Sequence, residues 1–181
     1  MANQGRKMAG MLVAAAMLTA PAAAATSVTS HGDSPNARVR STSAVIVALI
    51  ARASRESASF RGLIDDVNAS DGIVYVQDGR CLDASHACFI AVSMAGSSRA
   101  LWVRVDLKMS DPDWYVIGSI AHELRHTLEV LAVPSVRSTP AMQSFYHWAG
   151  FKGSAKGYET RAAIDMGNAV RSEVRASNRT K

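Results

Sequence analysis

The sequence predicts an α+β fold, because the spacing of its apolar residues changes twice along the chain. Helical spacing holds over residues 43–67, an alternation with a period near two holds over residues 73–107, and helical spacing returns after residue 112. About 155 residues follow a predicted leader, which suffices for one domain with a core but not for two ordinary domains. We therefore expect a single domain over residues 42–175, with a small antiparallel β-meander and flanking helices.

The N-terminus has the pattern of a secretory signal peptide, predicted over residues 1–25. Arg6 and Lys7 precede an apolar stretch at residues 8–20, and the small residues 22–25 can form a cleavage site. The apolar stretch is shorter than the roughly 20 residues of a membrane span, and no later segment is long and apolar enough. We expect an exported protein, periplasmic or secreted, without stable membrane association after signal cleavage.

Charge and composition limit the classes of partner. The formal net charge of the whole chain is +5, and it falls to about +3 once Arg6 and Lys7 are removed. The remaining Lys and Arg residues are scattered, apart from a basic tail predicted at residues 176–181, so we expect no nucleic-acid partner. Residues 26–41 are polar and without periodicity, which predicts a flexible N-terminal segment.

The first half of the domain is predicted as two helices followed by three strands. Val45, Ile46, Leu49 and Ile50 recur at helical spacing after a Ser-Thr-Ser start, and a second helix is predicted at residues 59–67. Residues 73–76, 88–92 and 101–107 are runs typical of strands, separated by Gly, Asp and Ser clusters. Consecutive strands of this kind favour an antiparallel meander.

The chain has two cysteines, Cys81 and Cys88, seven positions apart. An exported chain meets an oxidising compartment, where such a pair can close a loop, so we predict a disulfide. A zinc-binding thiol pair would favour the Cys-x-x-Cys spacing instead.

The second half is predicted as three helices. Asp111-Pro112-Asp113 can start a helix over residues 112–131, because Asp caps free amides and Pro is tolerated at the first helical position. Another helix is predicted at residues 140–148, ended by Gly150. The last is predicted at residues 158–174, after a Gly-rich linker.

A His-Glu-x-x-His motif lies inside the helix predicted at residues 112–131. His122 and His126 are four positions apart, so their imidazoles share one helix face and can bind one cation. Glu123 is rotated about 100° around the helix, which places its carboxylate beside the metal, where a general base is needed. An apolar stripe can bury the opposite side of the helix; it comprises Ile117, Ala121, Leu124, Leu128 and Leu131.

In this segment the sequence resembles the zincin metalloproteases, over residues 117–131 and more weakly around Glu159. The resemblance implies that His122 and His126 bind Zn²⁺ and that Glu123 is the general base. Zincins usually have an uncharged residue where this chain has Arg125, which must therefore point to solvent or pair with an acid. The metzincin subclass is excluded, because it would require Gly and His where this chain has Glu129 and Ala132.

The third ligand is sought among the acids and histidines that follow His126. We favour Glu159, near the start of the predicted last helix, where the small residues Ala162 and Ala163 and the nearby Met166 would let that helix lie against the motif helix, as a gluzincin-like arrangement requires. His147 and Asp165 are the alternatives. Glu129 is one turn beyond His126 and is better interpreted as an orienting or solvated acid.

The resemblance implies a zinc-dependent metallopeptidase, and its peptide or protein substrate could add to an edge strand of the sheet. Tyr146, His147 and Tyr158 are candidates for steadying an oxyanion, although ordinary packing is the simpler role for each. The alternative function is an exported zinc-binding protein without catalysis. A carboxylate-bridged di-iron site is excluded, because it needs a second Glu-x-x-His pair and the chain has one.

Overall fold

The computed structural model describes residues 37–82, 85–152 and 157–179, and its architecture confirms the predicted α+β class. The predicted signal peptide lies outside the described residues, as do residues 26–36 of the predicted flexible segment. The end of that segment forms a short strand, β1 (Val39–Arg40). None of the helices within the described ranges is long and apolar enough to cross a membrane.

Two short helices open the domain, as predicted. Helix α1 (Ala44–Glu56) begins at Ser43, whose side chain accepts a hydrogen bond from the Ile46 amide. Ser57 ends α1 and caps the next helix, α2 (Ala58–Ala69), by accepting a hydrogen bond from the Phe60 amide at 3.0 Å. A single serine therefore sets the angle between the two helices. Their apolar faces contribute buried residues to the core, including Ile46, Leu49, Phe60, Leu63, Ile64 and Val67.

The sheet corrects the predicted antiparallel meander. Its long strands are β2 (Gly72–Asp78), β3 (Ala87–Ala95) and β4 (Ser98–Val105), and the spatial order is β1-β2-β4-β3. Only β3 and β4 pair antiparallel, whereas β2 is parallel to both β1 and β4. The chain passes from β2 to the far edge of the sheet, and the β3–β4 hairpin, turning at Gly96 with a φ of 63°, returns β4 between them. The sheet is therefore mixed, and β3 is an edge strand.

The motif helix, α3 (Asp113–Leu131), packs against β3 and β4 on one side and against the last helix on the other. Its start differs from the prediction, because Pro112 occupies the cap position and no side chain caps the first turn. The Asp111 carboxylate instead lies 3.1 Å from the His86 Nδ1 atom. The predicted apolar stripe is confirmed at Ile117, Ala121 and Leu124, which have no exposed surface.

The remaining elements are α4 (Thr139–Ala149), β5 (Phe151–Lys152), β6 (Tyr158–Glu159) and α5 (Arg161–Arg179). Ser138 caps the start of helix α4 and Gly150 caps its end, so the helix lies close to the predicted range. Helix α5 begins three residues later than predicted, because Tyr158 and Glu159 pair with β5 in a two-stranded sheet. It continues to Arg179, so four residues of the predicted basic tail are helical.

A buried arginine joins the sheet to the end of α3. Arg99, on β4, is 3% exposed and forms an ion pair with Asp71 at 2.7 Å. Hydrogen bonds with the Arg99 guanidinium lower the pKa of the Asp71 carboxyl, although its partial burial acts in the opposite direction. The guanidinium also donates to backbone carbonyls at and after the last turn of α3, those of Val130, Leu131, Val133 and Val136.

Candidate metal centre

Three sequence-predicted ligands converge at the surface of α3. The Nε2 atoms of His122 and His126 lie 3.1 Å apart. The Glu159 Oε2 atom lies 2.9 Å from Nε2 of His122 and 3.7 Å from Nε2 of His126. These residues form a group that could hold a metal ion, with one ligand atom from each. The i and i+4 spacing on the helix explains why the two imidazoles face the same point.

The distances and the donor set fit a tetrahedral cation. Tetrahedral zinc with ligands at about 2.0–2.1 Å separates its ligand atoms by about 3.3 Å, close to the three separations observed. Among the described residues, no donor makes a well-aligned hydrogen bond to the buried Glu159 Oε2 atom, and its neighbours are the two imidazole Nε2 atoms at ion-pair distance. A buried carboxylate oxygen without a hydrogen bond is costly, and a cation bound between it and the imidazoles would satisfy it. Two imidazoles and one carboxylate are a ligand set of catalytic zinc sites.

The electrostatics of the group also favour a positive charge at this point. Burial alone would lower the pKa of His126, but the carboxylates of Glu129, Glu159 and Glu123 outweigh it and raise the pKa to about 9. Burial would raise the pKa of Glu159, but the neighbouring His122 and His126 imidazoles lower it to about 2. Without a metal ion, His126 therefore carries an additional proton. This proton supplies the positive charge that a bound cation would otherwise supply.

Close packing of α5 on α3 brings Glu159 to the histidines. Ala163 and Gly167 are buried on the face of α5 that meets α3, and a Cβ at Gly167 would lie 3.2 Å from Cβ of His122. The prediction that small residues allow this approach holds for Ala163, whereas Ala162 is exposed. Glu159 itself reaches the site from β6, before the helix starts, which corrects its predicted position within the helix.

Glu129 orients His126. Its Oε2 atom lies 3.0 Å from His126 Nδ1, and its Oε1 atom accepts a hydrogen bond from the Thr160 hydroxyl at 2.6 Å. Burial would raise the pKa of Glu129, but the His126 and Thr160 contacts keep it below its ordinary value. An ionised carboxylate at Nδ1 fixes the proton there and leaves the Nε2 lone pair toward the metal position.

Glu123 lies beside the ligands, near the edge strand. Its side chain is buried, with 8% of the residue exposed, and the nearby backbone of Phe89 on β3 favours the ionised form of its carboxylate. Burial raises the pKa of the Glu123 carboxyl, opposed by the His126 and His122 charges. A β-bulge between Phe89 and Ala91 interrupts the pairing of β3 with β4 beside this contact. Backbone and burial together place a basic carboxylate next to the candidate metal.

The ligands open into a cleft of about 980 Å³ between β3, α3, α4 and β6. Tyr146 lines it, but its hydroxyl donates to the His126 carbonyl at 2.7 Å. Burial raises the pKa of Tyr146, and this buried donor is committed to the backbone. His147 and Tyr158 contact each other, with 2.6 Å between His147 Nδ1 and the Tyr158 hydroxyl, and both line the cleft. Of the three predicted oxyanion candidates, only these two keep polar atoms at its rim.

The other residues weighed as ligands lie apart from the group. Asp165 is exposed on α5, and neither it nor His147 belongs to the metal-binding group found among the described residues. Arg125 pairs with an acid, its Nε atom lying 3.9 Å from Glu129 Oε1. Arg125, the residue that departs from the zincin pattern, therefore contacts the Glu129 carboxylate and not the candidate metal ligands.

The disulfide between Cys81 and Cys88 is present, with the two Cα atoms 6.0 Å apart, as predicted. It joins the loop after β2 to the second residue of β3, one residue before Phe89. Two groups near the candidate site, the Thr160 hydroxyl and the Phe89 amide, were not predicted from the sequence. Thr160 could have been suspected as a cap of α5, since its hydroxyl accepts from the Ala163 amide at 3.1 Å. The Phe89 amide carries no side-chain signal at all.

Searches against protein-family models, curated proteins and solved structures found no match to this chain.

Proposed function

We propose that this chain is an exported zinc-dependent metallopeptidase. The observation that carries the proposal is the position of Glu123, a buried carboxylate that lines the same cleft as three convergent ligand atoms. A site for structural zinc needs no such group, because closed sites complete their coordination with a fourth protein ligand. Among the described residues only three ligands converge, which leaves one position of a tetrahedral ion open to water or substrate.

The residues divide the chemistry among them. Zinc bound by His122, His126 and Glu159 would act as a Lewis acid that polarises a peptide carbonyl and acidifies water. Glu123 then accepts the proton of the attacking water and delivers it to the leaving amine.

The edge strand and the cleft rim suit an extended peptide. No described strand pairs with the outer side of β3, where the Thr139 hydroxyl hydrogen-bonds to the Val92 backbone, and residues 87–90 line the cleft together with Glu123. A substrate strand can add to such an edge through main-chain hydrogen bonds. Tyr158, with its hydroxyl paired to His147, is the favoured group for steadying the oxyanion. The predicted signal sequence and the Cys81–Cys88 disulfide support export.

The test compares the mature chain from Thr26 with its Glu123→Gln variant. We expect hydrolysis of a denatured protein substrate to fall by at least about 100-fold, the lower end of what a general base contributes, while bound zinc stays near one equivalent. Zinc is measured by elemental analysis after gel filtration, and hydrolysis by mass spectrometry of the new peptide ends. Asp165→Asn, a change in an exposed acid on α5, should alter neither quantity.

The two functions predicted from the sequence give different results in this experiment. A zinc-binding protein without catalysis would show no hydrolysis in the unmodified chain, although zinc is retained in every variant. Equal hydrolysis by the unmodified chain and by Glu123→Gln would contradict the metallopeptidase proposal. Iron in place of zinc would contradict the assignment of the metal, since the same ligand set also suits Fe(II).

A further inference from the structure

In addition to the candidate metal ligands, the cleft contains a positively charged side chain. Arg171, on α5, lines the cleft together with His122 and Glu123. Its guanidinium carbon lies 4.4 Å from the centroid of the Tyr115 ring, and one Nη atom donates to the Ser119 hydroxyl at 3.3 Å. Tyr115, Ser119 and His122 follow one another along the same face of α3. The metal ligands and this arginine therefore belong to one continuous surface.

The charge of Arg171 is not neutralised within the described residues. Its hydrogen-bond partners, Ser119 and Asn168, are both neutral, and no ion pair of the described chain includes it. Its Nε atom is buried and makes no hydrogen bond. Arg99, which is buried, contacts both a carboxylate and backbone carbonyls. Arg171 thus lacks the anion that a partly buried guanidinium ordinarily has.

A glycine makes room for this side chain. Gly118 lies in the interior of α3, where glycine costs about 0.5–1 kcal/mol relative to alanine. A Cβ at Gly118 would overlap the aliphatic part of Arg171. The helix that carries the metal ligands is therefore open at the point where the arginine crosses it.

The arginine and the candidate metal ligands lie along one face of α3. Ser119, which accepts a hydrogen bond from Arg171, lies one turn before His122 on that helix. An anion held by Arg171 would therefore lie in the same cleft as a carbonyl bound at the metal position.

We propose that Arg171 binds a carboxylate of the peptide substrate in the cleft that contains the candidate metal ligands. The inference rests on the proposed metallopeptidase function and adds its substrate class. Two sources supply the same chemistry, a free C-terminus or an Asp or Glu side chain. Planar, two-point recognition of a carboxylate is the geometry for which arginine is suited.

Paired peptides separate the two sources. Mixtures of short peptides of randomised sequence are made once with free C-termini and once amidated. A second pair carries Glu or Gln at fixed positions within amidated peptides. Retention is measured by mass spectrometry on the immobilised, zinc-loaded Glu123→Gln chain, and cleavage of the same mixtures by the unmodified chain is measured in parallel. We expect one pair to show about a 10- to 100-fold preference for the carboxylate, the range of a hydrogen bond to a charged group.

Arg171→Gln should abolish that preference, and Arg171→Lys should restore part of it by returning the charge without the planar fork. Arg175→Gln is the matched control, since Arg175 lies one turn further along α5, 4.5 Å from the Trp114 ring centroid, and does not line the cleft. It should keep the full preference. Circular dichroism and zinc content confirm that each variant is folded and loaded.

The outcomes distinguish this inference from the function on which it rests. Cleavage without a carboxylate preference, or a preference that persists in Arg171→Gln, would overturn the role of Arg171 and leave the metallopeptidase proposal intact. Retention that depends on Arg171, without cleavage of any mixture by the unmodified chain, would support the carboxylate site and overturn the proposed catalysis.

Discussion

Two carboxylates flank His126, and their surroundings are opposite. Glu129 faces Nδ1, and both of its oxygens have partners, His126 for one and Thr160 for the other. Glu159 faces Nε2, and no described residue donates a well-aligned hydrogen bond to its Oε2 atom. A carboxylate whose two oxygens both contact protein donors can position a neighbouring ligand, whereas one with a buried oxygen that accepts no hydrogen bond can bind a cation. The difference suits Glu129 to orienting His126 and Glu159 to binding a metal ion.

The variant Glu159→Ala gives the strongest test of this comparison between Glu129 and Glu159, because it removes a candidate ligand. We expect zinc affinity to fall by more than about 100-fold, beyond the range typical of an outer partner. Competition with a chromogenic chelator measures the affinity. Asp165→Asn, on the same helix, provides the control and should bind zinc normally. Unchanged affinity in Glu159→Ala would show that the unfilled oxygen does not bind the metal.

Glu129→Gln should have a smaller effect, because the three ligands remain and only the orientation and basicity of His126 change. We expect zinc affinity to fall by about 10- to 100-fold. The matched control is Arg125→Gln, which removes the 3.9 Å contact of Arg125 with Glu129. A surface pair of this kind contributes at most about 1 kcal/mol. An effect of Glu129→Gln as large as that of Glu159→Ala would erase the distinction between the two carboxylates.

Gly167→Ala tests whether the approach of α5 sets the geometry of the ligands. The added Cβ would lie 3.0 Å from the Gly118 carbonyl oxygen and 3.2 Å from Cβ of His122, so these neighbours must move by a few tenths of an ångström. We expect a loss of about 1–3 kcal/mol in unfolding free energy, with weaker zinc binding. Gly62→Ala in α2 has no atom within 4 Å of the new Cβ and should stabilise the chain by about 0.5–1 kcal/mol. Chemical denaturation measures both variants.

The smallest effect is expected for Tyr146→Phe. Its hydroxyl donates to the His126 carbonyl, so its loss should cost about 0.5–1.5 kcal/mol of stability and leave zinc affinity unchanged. Hydrolysis should also persist, because this hydroxyl is already committed to the backbone. A fall in kcat with no change in stability would restore Tyr146 as an oxyanion donor.

Features encoded by local spacing were predictable from the sequence, and features encoded by distant pairing were not. The motif helix and its apolar stripe follow from helical periodicity, and the Ser43 cap from side-chain chemistry. The parallel pairing of β2 with β4 could not be predicted, because the alternation of apolar residues in a strand specifies which face is buried and not which strand is its partner. Consecutive strands are neighbours more often than not, so the meander was the natural expectation.

The candidate site divides in the same way. His122, Glu123 and His126 lie within one turn of helix and were recognisable together, whereas Glu159 was found by elimination among few candidates. Its place in β6 was missed because a two-residue strand leaves no periodic pattern. The amide of Phe89 and the neutral surroundings of Arg171 depend on tertiary contacts alone.

The contacts of Arg99 have a consequence for the position of the edge strand. This β4 side chain finds its carbonyl acceptors only when the last turn of α3 and the loop to Val136 have formed. Arg99 therefore fixes the position of β4 relative to the end of α3. Because β3 pairs with β4, the same contacts also fix the edge strand at Phe89 relative to the helix that carries the histidine pair.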